Sequence, residues 1–132
     1  MITFIDPKGP IEQFSWGKFI ICGKEHSDSE KGQIGVGKDI RLIDQEVTEW
    51  HERKGHRLTH AMITGVYKQG IEVLIIGIGV EGAIECPKDV KKKIKANGIS
   101  QVILARTPDA CAEYNALFQQ GKRVALLAHG TC

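Results

Sequence analysis

Three short, almost unbroken apolar runs at 71–76, 101–105 and 123–128 limit what the second half of this chain can become. Runs of this length without alternation suit strands covered on both faces, the usual state of a strand in a parallel sheet. Helical patterns separate them. Pro87 opens one helix and Gly98 follows its end, with Val90 and Ile94 one turn apart on a thin apolar face. Lys88, Lys91, Lys92, Lys93 and Lys95 cover the rest, and a charge run on a helix is ordinarily its solvated face. Thr107 and Pro108 open the other as cap and first-turn proline; Ala110, Cys111, Tyr114, Leu117 and Phe118 form its stripe, and Gly121 stops it. Strand, helix, strand, helix, strand in that order implies right-handed crossovers and a parallel core.

The first half has a different period. Up to about residue 50 apolar and polar residues alternate, as in half-exposed strands. Residues 14–22 read as a hairpin turning near Trp16-Gly17-Lys18, and the polar stretch 23–32 reads as a loop. Ile34, Val36, Ile40 and Leu42 share one face, with Gly35, Gly37, Asp39 and Arg41 on the other. Thr59 is placed to cap a helix carrying Met62, Ile63, Val66 and Tyr67 and ending at Gly70, although Gly65 inside it costs about 1 kcal/mol relative to Ala. These early strands must extend an edge of the parallel sheet or form a second one. No repeat or linker divides the chain, so residues 1–132 read as one domain.

Composition excludes several classes. A formal net charge of +2 is too small for a nucleic-acid-binding face, and the longest apolar run, 73–80, is far short of the roughly 20 residues a membrane helix needs. The N-terminal residues lack the basic start and cleavage site of a secretory signal. Cys22, Cys86, Cys111 and Cys132 are scattered and form no C-x-x-C pair, which fits reduced thiols in a cytoplasmic protein.

Three constellations carry chemistry. Gly77, Gly79 and Gly82 match G-x-G-x-x-G directly after a buried strand, a pattern whose amides cradle a nucleotide's phosphates when a helix opens at once. Here residues 83–86 intervene before Pro87, and the next strand ends at Arg106 rather than at an acidic residue. The plain alternative is a tight turn that needs positive φ. Even so, the glycines, Arg106 and the Thr107 helix start all fall at the carboxyl ends of parallel strands, where ligands bind in such sheets. The segment 50–57, with Trp50, Arg53 and His56, is rich in groups that bind anions, or is a solvated turn. The last residues place His129 and Cys132 at the same sheet edge, where an imidazole and a thiol can act as base and nucleophile. As a metal site, H-x-x-C supplies only two ligands and no second pair has matching spacing, so no metal or other cofactor is expected.

In order, these stretches resemble the Mth-type family, small single-domain proteins of unknown function named for a methanogen archaeal member. The family includes a human adipogenesis-associated protein and, more distantly, an assembly factor of mitochondrial complex I, the NADH dehydrogenase. The matching residues include Trp50, Arg53, Gly55-His56-Arg57-Leu58, the run 73–79, Gly98-Ile99, Thr107 to Ala110, Tyr114-Asn115 and the close from Arg123 to Cys132. Two positions depart: the family often has threonine where Ile78 stands and a bulkier apolar residue where Gly130 stands, which implies a looser terminus. The resemblance implies an α/β fold of three layers, a central mixed and mostly parallel sheet flanked by helices, with a small antiparallel sheet from the N-terminal half. It implies no reaction, since a fold licenses none. The expected function is a non-enzymatic domain that binds a small anionic ligand or a protein and assists assembly. The alternative is a small-molecule or nucleotide-binding enzyme using the crevice between the glycine loop, Arg106–Thr107 and His129–Cys132.

Overall fold

The chain begins as an antiparallel meander of five strands: β1 (Ile2–Ile5), β2 (Ile11–Ser15), β3 (Lys18–Ile21), β4 (Lys24–Ser29) and β5 (Gly32–Ile34). The computed structural model describes residues 2–132, for Ile2 the backbone alone; Met1, counted in the single-domain reading, lies outside the described residues. The β2–β3 hairpin turns at Trp16-Gly17, where Gly17 adopts a φ of 71°. The polar stretch read as a loop is instead β4 and the start of β5. Its backbone pairs on both sides while only His26 and Ser27 are buried, so the strand forms without an apolar pattern.

Two further strands, β6 (Asp39–Ile43) and β7 (Glu46–Glu49), leave the meander for a second sheet. The expected common face of residues 34–42 is therefore split. Ile34 ends β5 and is about half exposed, whereas Ile40 and Leu42 are fully buried in β6; Gly35 and Gly37, both at positive φ, carry the chain across. The second sheet also holds β8 (Val73–Gly77), β9 (Gln101–Ala105) and β10 (Val124–His129), in the order β7-β6-β10-β8-β9. β10 runs parallel to β8 and β8 parallel to β9, while β10 and β6 are antiparallel. The sheet is thus mixed around a parallel core, with helices α1 (Lys88–Ala96) and α2 (Thr107–Gln119) in the crossovers. Among the described residues, no helix is long and apolar enough to cross a membrane.

The helix expected over residues 59–70 does not form. A single 3-10 turn at His60–Met62 gives way to extended backbone at Ile63, and Gly65 takes a φ of 71° that a helix forbids. Ile63 and Val66 are nevertheless buried, so their spacing signalled a covered segment rather than a helix.

Alternation in the mixed sheet separates two cores. Val73, Ile75, Val124, Leu126 and Leu42 pack with Phe14, Phe19 and the α2 residues Ala110, Cys111 and Tyr114. Leu74, Ile76, Ala125 and Leu127 pack with Trp50, Leu58, Ile84 and the α1 residues Val90 and Ile94. The Tyr114-Asn115 pair ties α2 to both sheets. Tyr114 donates its hydroxyl to the Asp44 carbonyl, and the Asn115 amide accepts from Ile11 N–H at 3.0 Å and donates to Ile11 C=O at 2.7 Å. Asn115 thus stands in for a strand neighbour of β2. Replacing it by Ala leaves the buried Ile11 N–H and C=O unpaired and should lower stability by about 2 kcal/mol or more, read as a shift of the denaturant midpoint at constant m-value.

Candidate functional site

Because β10 runs parallel to β8, the residues after each emerge at one edge, and the chain's last residues lie across the glycine loop. Every amide from Ile78 to Ile84 has a partner within the chain. Ile78 N–H bonds Ala105 O, Gly79 N–H the Thr107 hydroxyl, Val80 N–H the Thr131 carbonyl, and both Glu81 and Ala83 N–H the Cys132 main-chain oxygen. Gly82 N–H bonds Gly79 O, and Ile84 N–H bonds Ile78 O. Gly79 sits at a φ of 100°, and a Cβ there would overlap the Cys132 backbone. Gly77 is closed in by Ala128 and Thr107, and Gly82, at positive φ, lies beneath the exposed Arg106 side chain. The loop cradles the protein's own backbone.

Thr107, expected as a helix cap, makes no capping bond; Arg106 occupies that position. The fully buried Thr107 hydroxyl instead donates to His129 C=O at 2.6 Å and accepts from Gly79 N–H at 3.0 Å, locking the loop to the end of β10.

The side chains of the last residues meet a third segment. The imidazoles of His129 and His56 each place Nε2 3.4 Å from Cys132 Sγ, and the three donor atoms lie within 4.8 Å of one another. His129 is buried, Cys132 half-buried and His56 exposed, so the cluster opens to solvent on one side. Strand register supplies the next partner. His129 pairs with Asp39 across β10 and β6, and its Nδ1 meets Asp39 Oδ1 at 2.7 Å. Arg53 bridges the two arms, bonding Asp39 Oδ2 at 3.2 Å and the carbonyl of Gly55, the residue before His56. Its Nε is the sole buried side-chain polar atom among the described residues without a partner. His56 is also fixed by its carbonyl, which accepts from Glu85 N–H at 2.7 Å.

Burial alone would raise the Asp39 carboxyl, but the His129 hydrogen bond, the Arg53 guanidinium and the His129 ring together hold it below the ordinary carboxylate range. Facing an ionised Asp39, His129 Nδ1 donates its N–H to the carboxylate, and Nε2 faces Cys132 Sγ and the Thr131 hydroxyl, 3.1 Å away. All four cysteines are free. Cys111 is fully buried and its thiol pushed far up by desolvation, and burial also raises Cys22 and Cys86. Gly130 does not loosen the terminus: it is buried, and a Cβ there would overlap the Lys38 carbonyl, so glycine lets β10 end hard against the start of β6.

The sequence-derived candidates therefore converge, with Gly77, Gly79, Gly82, Arg106, Thr107, Arg53, His56, His129 and Cys132 at one edge. Asp39 was missed; alternation placed it on the outward face of a strand, and only cross-strand register brings it to His129. A cavity of about 620 Å³ lies elsewhere, lined by Arg41, Asp44, Thr48 and Arg123 among others. Its two arginines are already paired, Arg41 with Glu52 and Arg123 with Asp44.

Fold and site together define a mixed α/β domain that gathers imidazole, thiol and carboxylate at the carboxyl edge of its parallel strands. Residues 11–129 match the profile of the family described as protein of unknown function (DUF498/DUF598), and the chain belongs to that family. The resemblance to a family of unknown function drawn from the sequence is thereby confirmed. Three solved structures share the fold. A conserved hypothetical protein of Pyrococcus horikoshii is 22% identical at a TM-score of 0.69, with 92% of this chain and 98% of that one covered. A Bartonella henselae protein described as an outer membrane protein is 21% identical at 0.72, with 100% of both covered. A Xanthomonas campestris protein is 19% identical at 0.66, with 91% and 83% covered. Likeness at these identities concerns the fold alone.

The folded Asp39 value lies below the unfolded 3.8, so the carboxylate adds stability above that pH and loses it as pH falls through the folded value. Asp39→Asn should therefore reduce stability at neutral pH and flatten its decline below about pH 4. Thermal melts of both proteins across that range check this; equal acid limbs would remove the ionised Asp39 from the account.

Proposed function

We propose that this protein is a binding domain rather than an enzyme, and that its recognition element is the His56–His129–Cys132 cluster. The observation that carries this reading is the full engagement of the amides from Ile78 to Ile84. A phosphate cradle or an oxyanion hole needs free N–H groups, and this loop has none to offer without releasing Thr131 and Cys132. What remains open to a ligand is side-chain chemistry, two imidazoles and one thiol. Trp16, more than half exposed, sits on the turn whose Gly17 N–H bonds Gly130 O, and an exposed aromatic beside such a site suits a protein partner. In this reading the mixed sheet is the middle of three layers, presenting its carboxyl edge to that ligand or partner. A cytoplasmic setting belongs to the same proposal, supported by four free cysteines.

A second reading has Cys132 as nucleophile, His129 as base and Asp39 as orienter. The Asp39–His129–Cys132 relay favours it, and the lack of free oxyanion donors weighs against it. One thermal-shift panel separates the two. A ligand at about 100 times its Kd adds about 2.7 kcal/mol of stability. Nucleotides, phosphates and small acids should leave the melting temperature unchanged, while a thiol- or imidazole-directed ligand should raise it in wild type and not in Cys132→Ser. A nucleotide shift that persists in Cys132→Ser would return the site to the glycine loop and favour the enzyme.

A further inference from the structure

We propose that His56, His129 and Cys132 are the protein ligands of a single borderline-soft divalent cation, zinc being the best match. This rests on reading the cluster as the binding element.

Zinc holds imidazole nitrogen at about 2.0–2.1 Å and thiolate sulfur at about 2.3 Å, so tetrahedral geometry separates nitrogen from sulfur by about 3.6 Å. Both nitrogen–sulfur separations here are 3.4 Å, and the third pair falls within the 4.8 Å that bounds the cluster. The donors come from three segments: the turn after Arg53, the end of β10 and the last residue. Two nitrogens on one tetrahedral zinc stand about 3.3 Å apart, so closure asks the exposed His56 ring to swing toward His129 by up to about 1.5 Å from the 4.8 Å bound.

The surroundings have the form of a metal site's outer partners. A ligating histidine ordinarily donates its other ring N–H to a carboxylate, which fixes the tautomer and raises basicity. His129 Nδ1 meets Asp39 Oδ1 at 2.7 Å, so Nε2 is the ring nitrogen turned toward the cluster. Arg53 braces Asp39 on one side and the Gly55 carbonyl on the other, so one side chain steadies the supports of both imidazoles. Donor chemistry selects the ion. Two imidazoles and a thiolate suit zinc and discriminate against magnesium and calcium, which take oxygen ligands. Exposure of His56 leaves a fourth position open to water or to an incoming ligand.

The test uses the full chain, stripped with a chelator and kept reduced. Cobalt(II), a spectroscopic substitute for zinc, is titrated while absorbance is recorded, then displaced by zinc; chelator competition gives the affinity. One equivalent should produce a thiolate-to-cobalt charge-transfer band with tetrahedral ligand-field bands. Cys132→Ser should abolish the charge-transfer band. Asp39→Asn should weaken zinc by about 10–100-fold, and loss of a direct ligand in His56→Ala at least as much. Because His56 is exposed, its variant should melt like wild type without metal, which separates lost binding from lost fold. Cys22→Ser and Cys86→Ser should bind normally. Absence of the band, or a band surviving in Cys132→Ser or with unchanged affinity in His56→Ala, would overturn the assignment. If no cation binds while another ligand stabilises the protein through His56 and Cys132, the cation is wrong and the binding-domain reading stands. If neither binds, both fall.

Discussion

The position of β10 governs the rest. It lies between β6 and β8, antiparallel to one and parallel to the other, and all six of its residues are buried. A central strand on which both cores rest cannot slip without turning Ala125 and Leu127 out of one core and Leu126 out of the other. Its register is therefore fixed, and that register sets His129 opposite Asp39 and carries residues 130–132 over the loop that follows β8. The site is a consequence of packing demands made along the whole strand.

Small residues make the close approach possible. Gly79 admits the Cys132 backbone and Gly130 admits the Lys38 carbonyl, each where a Cβ would collide. Thr107 then joins the two edges through one buried hydroxyl. The G-x-G-x-x-G spacing is thus explained without a nucleotide. Its glycines meet the same physical need as in a phosphate loop, room for oxygen atoms near backbone amides, and here the oxygens belong to Thr131 and Cys132.

Legibility in the sequence tracked burial. Continuous apolar runs located β8, β9 and β10, and Pro87, Pro108 and Gly121 framed two helices because those residues act through local backbone geometry. The failures share a cause. Ile63 and Val66 stand at helical spacing because both are buried, yet Gly65 prevents a helix; β4 lacks alternation because it is stabilised by strands on both sides. Of the site, the meeting of the glycine loop with His129 and Cys132 followed from a parallel β8–β10 pair. The third donor, His56, and the carboxylate of Asp39 were invisible as partners. They are separated from Cys132 and His129 by 76 and 90 residues, and only folded topology joins them.

The central claim is that the last two residues are clasped by the glycine loop, which both closes the anion cradle and positions the thiol. Amide hydrogen exchange at Val80, Glu81 and Ala83 tests it most directly, because these N–H groups lie outside any strand and gain protection only from the Thr131 and Cys132 oxygens. The account predicts exchange slowed toward that of β8 in the full chain and fast exchange once residues 131 and 132 are deleted. Exchange at free-loop rates in the full chain would contradict it.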